Sequence, residues 1–224
     1  MSEAAIRRKP GPKPRFTQDD LVDAALAVVD SQGFKALSLR AVARELGVTS
    51  MAIYTYVGSR EELYGLVVDR LISTKLAGFV WPELWPEALR MFAGSLSELI
   101  DEHHALIEAF AEGQMRTELA ASVADHMLQL LLDGGLPLRG AGVAYAAMHA
   151  LVLGHAVLRE AERSTGTPGT SRMRTPAHSS TPTLAEYAAS KGRPAEVALQ
   201  EMLGLLIAGI EHNLNDTAGS TPPR

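Results

Sequence analysis

The stretch Ser38 to Arg60, SLRAVARELGVTSMAIYTYVGSR, constrains this chain more than any other. Val42 and Leu46 lie four apart, Gly47 and Val48 interrupt the run, and Ile53 with Tyr56 resume it, the spacing of two short helices joined by a tight turn. Ala43 falls where two crossing helices come closest and only a small side chain fits. Gly47 can take the left-handed backbone that ends the first of them. The pattern predicts a helix-turn-helix.

Local signals extend the reading in both directions. Thr17 with Asp20 three residues on is a capping-box start for a helix whose buried stripe is Leu21, Ala24, Ala25, Val28 and Val29, closed at Gly33. Phe34 and Leu37 precede the cap Ser38. Ser59 with Glu62 starts a fourth helix, carried by Leu63, Leu66, Val67 and Leu71 and running to about Gly78. Trp81-Pro82 and Trp85-Pro86 then interrupt regular structure. In front of all this, residues 1–16 form an extended basic arm, in which Arg7, Arg8, Lys9, Lys13 and Arg15 alternate with prolines and glycine.

From Glu87 onward every periodic segment has helical spacing, with helices expected near 87–102, 104–112, 117–133, 138–162, 184–190 and 194–214. Residues 163–183, rich in Ser, Thr, Pro and Gly, are expected to form a long mobile loop, and 215–224 a frayed tail. No charged residue lies between Arg139 and Arg159. A helix packed on nearly all sides explains this better than a membrane span, since the segment is rich in Ala and Gly and holds His149 and His155. The last helix carries two apolar stripes, Leu199, Leu203, Leu206, Ile210, Leu214 and Met202, Leu205, Gly209. One can face its own core; the other calls for a second copy, so a homodimer is expected.

Charge adds a direction. The formal net charge is −5. Residues 1–78 hold 11 Lys/Arg against 9 Asp/Glu, and residues 79–224 hold 10 against 17. A polyanion would therefore meet the front of the chain. With no cysteine, the chain has no disulfide framework, thiolate zinc site or cysteine nucleophile. No apolar run follows the N-terminal charges, so a cytoplasmic protein is expected. His103 and His104 point to different helix faces, and His149 and His155 are six apart, not the three or four of a metal pair, so no metal site or cofactor is expected. No nucleophile–base pair or Gly-rich phosphate loop supports an enzyme.

Residues 17–78 resemble the DNA-binding domain of the tetracycline repressor (TetR) family. IYTYVGSREELY is similar to that family's signature, with Ile53, Tyr54, Tyr56, Val57, Arg60 and Leu63 at its positions. The order of later helices, with AVLREAER and LLIAGIEHNL, resembles the family's ligand-binding and dimerising half. The resemblance implies an all-α fold: a helix-turn-helix domain at 17–78, including a connecting helix, and a helical ligand-binding and dimerisation domain at 79–214. It also implies a repressor that binds a palindromic double-stranded DNA operator as a homodimer and is released by a small-molecule inducer. A non-inducible architectural DNA-binding protein and a ligand-binding module without specific DNA affinity are the competing classes.

Residue by residue, Thr49, Ser50, Met51 and Ala52 open the reading helix, which is expected to run from Thr49 to about Tyr56. Arg40 is the candidate for guanine, Tyr54, Tyr56 and Arg60 for phosphates, and Arg15 for the arm's contact. Tyr56 falls on the apolar side, where a core position competes. Ligand-pocket candidates are Phe92, Leu96, Phe110, Met115, Met127, Tyr145, Met148 and His149, with Gln114 as a polar anchor. The family's namesake holds a magnesium–tetracycline chelate with two histidines, an asparagine and a glutamine. Leu76, Ala111, Phe92 or Ala93, and Met127 stand at those positions here, which implies a more apolar ligand.

Overall fold

The computed structural model describes residues 16–111, 113, 116–165, 182, 186 and 195–219. All regular elements among them are helical. The chain divides into two compact units, Met1–Val67 and Val68–Arg224. That division falls inside a helix, upstream of the boundary at 78 expected from the sequence.

In the first unit, α1 (Gln18–Gln32) begins at a complete capping box. Thr17 Oγ1 accepts from Asp20 N at 3.1 Å, and the Asp20 carboxylate accepts from Thr17 N at 2.7 Å. These bonds, the backbone one foremost, hold the Asp20 carboxyl below the usual aspartate value. Gly33 ends α1 at φ +82°, and a 3-10 turn, Phe34–Ala36, carries Phe34 and Leu37 into the core. Ser38 caps α2 (Leu39–Glu45) through a 3.2 Å bond from Ala41 N. Gly47 takes φ +66° after it, as its place in the turn demands.

The reading helix is shorter than expected. α3 spans Ser50–Ile53, and residues 54–57 continue as hydrogen-bonded turns, Tyr56 N and Val57 N both donating to Ile53 O. Burial explains the tightening, because Ile53 and Val57 both enter the core. Ser59 Oγ then accepts from Glu62 N at 3.0 Å to start α4 (Arg60–Leu76), whose Leu63, Tyr64 and Val67 complete this unit's interior.

The second unit contains the rest of α4 and then α5 (Trp85–Glu102), α6 (Leu106–Ala111), α7 (Glu118–Asp133), α8 (Leu138–Thr165) and α9 (Ala195–Gly219). Trp85-Pro86 starts α5 rather than interrupting structure. Proline is tolerated in a first turn, where its missing N–H would have had no intrahelical partner. α8 packs against α5, α6, α7 and α9 and is the central helix. The segment REAER forms its last turns, where Arg159 and Arg163 both pair with Asp101 at the end of α5.

α8 is not enclosed on nearly all sides, contrary to the sequence expectation. Ala141, Ala144, Met148, Val152, His155 and Ala156 form its buried face, while Val143, Val157 and Leu158 are exposed opposite. It is long and apolar enough to cross a membrane, with mean hydropathy 1.6 over the most apolar 18-residue window of Leu138–Ser164. Its partners within the helical unit account for only one of its faces. On α9, Leu199, Leu203 and Ile207 are buried and Leu205 is 77 % exposed. That helix passes the expected end at Leu214 and runs to Gly219. Of the loop expected at 163–183, the first three residues are helical; its remainder and the helix expected at 184–190 lie outside the described residues, apart from Pro182 and Glu186.

Candidate functional sites

The helix-turn-helix turns a small set of side chains outward. Met51 is 74 % exposed and Tyr54 52 %, with Thr49 and Arg40 also exposed and Ser50 and Ala52 half-buried. Thr49 caps α3 without a side-chain hydrogen bond, leaving its hydroxyl available at the N-terminal end of the reading element. Apolar Met51 and Ala52 can meet thymine methyls, Thr49 and Ser50 can make single hydrogen bonds, and Arg40 offers a guanidinium fork. Arg15 lies outside the described residues.

Two of the phosphate candidates are otherwise engaged. The Tyr56 hydroxyl donates to Phe16 O, and its ring packs on Phe16 with centroids 4.6 Å apart, which makes it a half-buried core residue. Arg60 donates from Nε to Leu37 O at 2.8 Å and from Nη2 to Lys35 O at 3.1 Å and the Tyr64 hydroxyl at 2.7 Å. Its guanidinium also lies 4.9 Å from the Tyr64 ring centroid. Arg60 therefore ties α4 to the segment before α2. These partners lie far away in sequence, so the motif, which suggested a phosphate contact, carried no sign of them.

The second unit holds a cavity of roughly 550 Å³, within the range that takes drug-sized ligands. Five of the expected residues line it: Phe92 and Leu96 from α5, Phe110 from α6, and Tyr145 and His149 from α8. Met127 and Met148 do not line it. Both are fully enclosed where α7 and α8 pack, one helical step from wall positions. Gln114 and Met115 lie outside the described residues. Periodicity missed Ile72, Lys75 and Leu76 of α4, and the small wall contributed by Ala120, Ala121 and Ala124 of α7. Small residues open space, and hydrophobic patterning carries no mark for space.

His149 is the polar centre of an aromatic cluster. Its ring centroid lies 4.3 Å from that of Tyr145, 5.9 Å from Phe92 and 6.0 Å from Phe110. Nδ1 is 3.1 Å from Tyr145 O, so it carries the hydrogen and donates, because a carbonyl can only accept. Burial lowers the imidazole pKa below the ordinary 6.5, against the smaller opposing effect of that bond. Burial likewise keeps the Tyr145 phenol protonated. Trp81 continues the aromatic array behind Phe92, with centroids 5.8 Å apart. At the rim, Lys75 pairs with Glu98 at 2.9 Å and Glu102 at 3.3 Å, and Arg116 is exposed.

Residues 21–67 match the family model described as bacterial regulatory proteins, tetR family. The HTH-type transcriptional repressor DrrR1 of Streptomyces coeruleorubidus is 34% identical over 122 residues, covering 54% of this chain and 44% of that protein. The HTH-type transcriptional repressor Rv1353c of Mycobacterium tuberculosis is 25% identical over 175 residues, covering 73% of this chain and 67% of its own. The chain thus spans less than half the length of the first of these relatives and about two thirds of the second. Apo ActR from Streptomyces coelicolor superposes with a TM-score of 0.74 at 24% identity, covering 92% of this chain and all of that one. The same organism's TetR family protein ActR in complex with actinorhodin gives 0.68 at 25% identity, covering 89% of this chain and 98% of that one. The helix-turn-helix and these likenesses agree: residues 21–67 belong to the tetR family of bacterial regulatory proteins, and the helical unit behind them has the fold of solved tetR-family structures.

Proposed function

We propose that this protein is a cytoplasmic transcriptional repressor that binds an inverted-repeat DNA operator as a homodimer and leaves it when a small apolar molecule fills the cavity. The observation that carries this reading is the composition of the cavity wall. Ile72, Lys75 and Leu76 belong to α4, the same continuous helix that begins at Arg60 in the DNA-binding unit. A ligand that favours one position of those residues favours one position of α4, and so biases the separation of two paired reading helices. This is a population shift, and its size equals the ligand's preference for the non-binding state.

Within this reading, Arg40, Thr49, Ser50, Met51, Ala52 and Tyr54 meet the DNA. The exposed apolar residues Val143, Val157 and Leu158 of α8 and Leu205 of α9 meet a second copy. The similar protein ActR has been solved in complex with actinorhodin, which supports a small-molecule effector here. The test is selection of bound duplexes from a random DNA pool, followed by screening of aromatic compounds for release. The reading expects one inverted repeat and at least one releasing compound. Recovery of unrelated sequences at equal affinity would remove it.

A further inference from the structure

Inside the cavity, one hydrogen-bonding atom has a defined sense. The wall is almost entirely carbon: Leu96, Leu99, Ala124, and the faces of Phe92, Phe110 and Tyr145 around His149. His149 Nδ1 carries the ring's hydrogen and gives it to Tyr145 O at 3.1 Å. The neutral imidazole has one hydrogen, so Nε2 presents a lone pair and can only accept. Of the two cationic wall residues, Lys75 is already matched by Glu98 and Glu102, and Arg116 is exposed to water at the rim. A charged group placed among the rings around His149 would lose hydration against carbon. Aromatic walls favour a flat π-system in offset or edge contact.

We propose that the cavity selects an uncharged, flat aromatic ligand whose hydroxyl group donates a hydrogen bond to Nε2 of His149. This rests on the cavity being the effector site and names the chemistry of the effector. His149 is then the specificity-determining residue, and the flanking rings supply contact area without direction.

The test uses the full-length protein with two probes of nearly equal shape, 2-hydroxyfluorene and 2-methoxyfluorene. Both have the ring system and the oxygen, but only the first has the donor. Binding is followed by calorimetry and by Trp81 emission, since Trp81 stacks on the wall residue Phe92. The hydroxy probe should bind roughly tenfold tighter, as one hydrogen bond's net worth requires. His149→Phe should erase the difference, and His149→Gln, whose amide oxygen accepts, should restore part of it. Thermal unfolding of both variants identifies any loss of fold, and the Gln variant decides if the Phe variant does not fold. Equal binding of the probes to the unaltered protein, no binding of either, or a preference that survives in His149→Phe overturns the proposal. Release from operator DNA in the same samples separates the two readings. Equal binding with release removes the hydroxyl selectivity and keeps the cavity as the effector site, whereas donor-selective binding without release keeps the selectivity of His149 and removes the cavity's role as the effector site.

Discussion

Arg60 donates from Nε to the carbonyl oxygen of Leu37 at 2.8 Å, a bond that closes the DNA-binding unit across the gap between α4 and the start of α2. With Nη2 on Lys35 O and the Tyr64 hydroxyl, the guanidinium satisfies carbonyls that the short 3-10 turn leaves without helical partners. Arg60→Ala should therefore destabilise this unit by about 2 kcal/mol, the scale for hydrogen bonds to a charged group with partial solvent access. Arg60→Lys should recover little, because an ammonium cannot reproduce the fork. Chemical denaturation followed by circular dichroism measures both. A variant of unchanged stability that has lost DNA affinity would return Arg60 to the phosphates.

Tyr54 and Tyr56 separate by the same logic. The Tyr56 hydroxyl serves Phe16 O, so Tyr56→Phe should cost about 1 kcal/mol of stability and leave the dependence of DNA affinity on salt unchanged. Tyr54 is exposed, so Tyr54→Phe should leave stability alone and weaken DNA binding across sequences. Arg40→Ala should weaken binding at particular base pairs. Unfolding curves and salt titrations on specific and random duplexes check all three.

Gly134 ends α7 with no room for a side chain, since a Cβ there would sit 2.1 Å from Cδ1 of the buried Trp85. Gly134→Ala should thus displace the indole at the start of α5 and destabilise the second unit by about 1–3 kcal/mol, the usual scale for overpacking. A shifted Trp85 emission spectrum should accompany a lower unfolding midpoint. Unchanged emission and midpoint would mean that the indole moves aside freely.

The sequence made visible what depends on neighbours three or four residues apart. Thr17 with Asp20, Ser38 with Ala41, and Ser59 with Glu62 are caps that a helix start forms from its own first turn. Gly47 and its turn are equally local. The intramolecular bonds of Arg60 and Tyr56 were not legible because their partners, Leu37 and Phe16, are 23 and 40 residues away. Met148 and His149 were indistinguishable as pocket candidates, although one is enclosed and the other borders a cavity. The period of a helix tells which side is apolar, but the separation of two apolar sides is set by residues on other helices, here the alanines of α7.

The exposed apolar face of α8 and Leu205 of α9 carry a prediction of their own. Val157→Glu with Leu205→Glu places two charges where a partner would have to desolvate them. Sedimentation should then report a monomer, with helical content retained and affinity for an inverted-repeat duplex lost. A dimer of undiminished strength would put the interface elsewhere.

Protonation of His149 should set the acid limit of ligand binding. The groups bordering the same cavity are Tyr145 from α8, Lys75 from α4, and Arg116 and Glu118 at the start of α7; α5 contributes no titratable wall residue. Burial lowers the imidazole pKa in the folded protein below 6.5. The neutral ring's contribution to stability is therefore complete above 6.5 and is lost as the pH falls from there through the folded value. The acceptor at Nε2 follows the same proton. Affinity for 2-hydroxyfluorene should stay level from pH 8 down to about 6.5 and decline only under more acid conditions, by one proton per site. In His149→Gln it should stay level throughout. Calorimetric titrations across that range decide it. A decline already complete at pH 7 would mean that the imidazole is charged in the folded cavity, and the hydrogen bond from the ligand would then have no lone pair to meet.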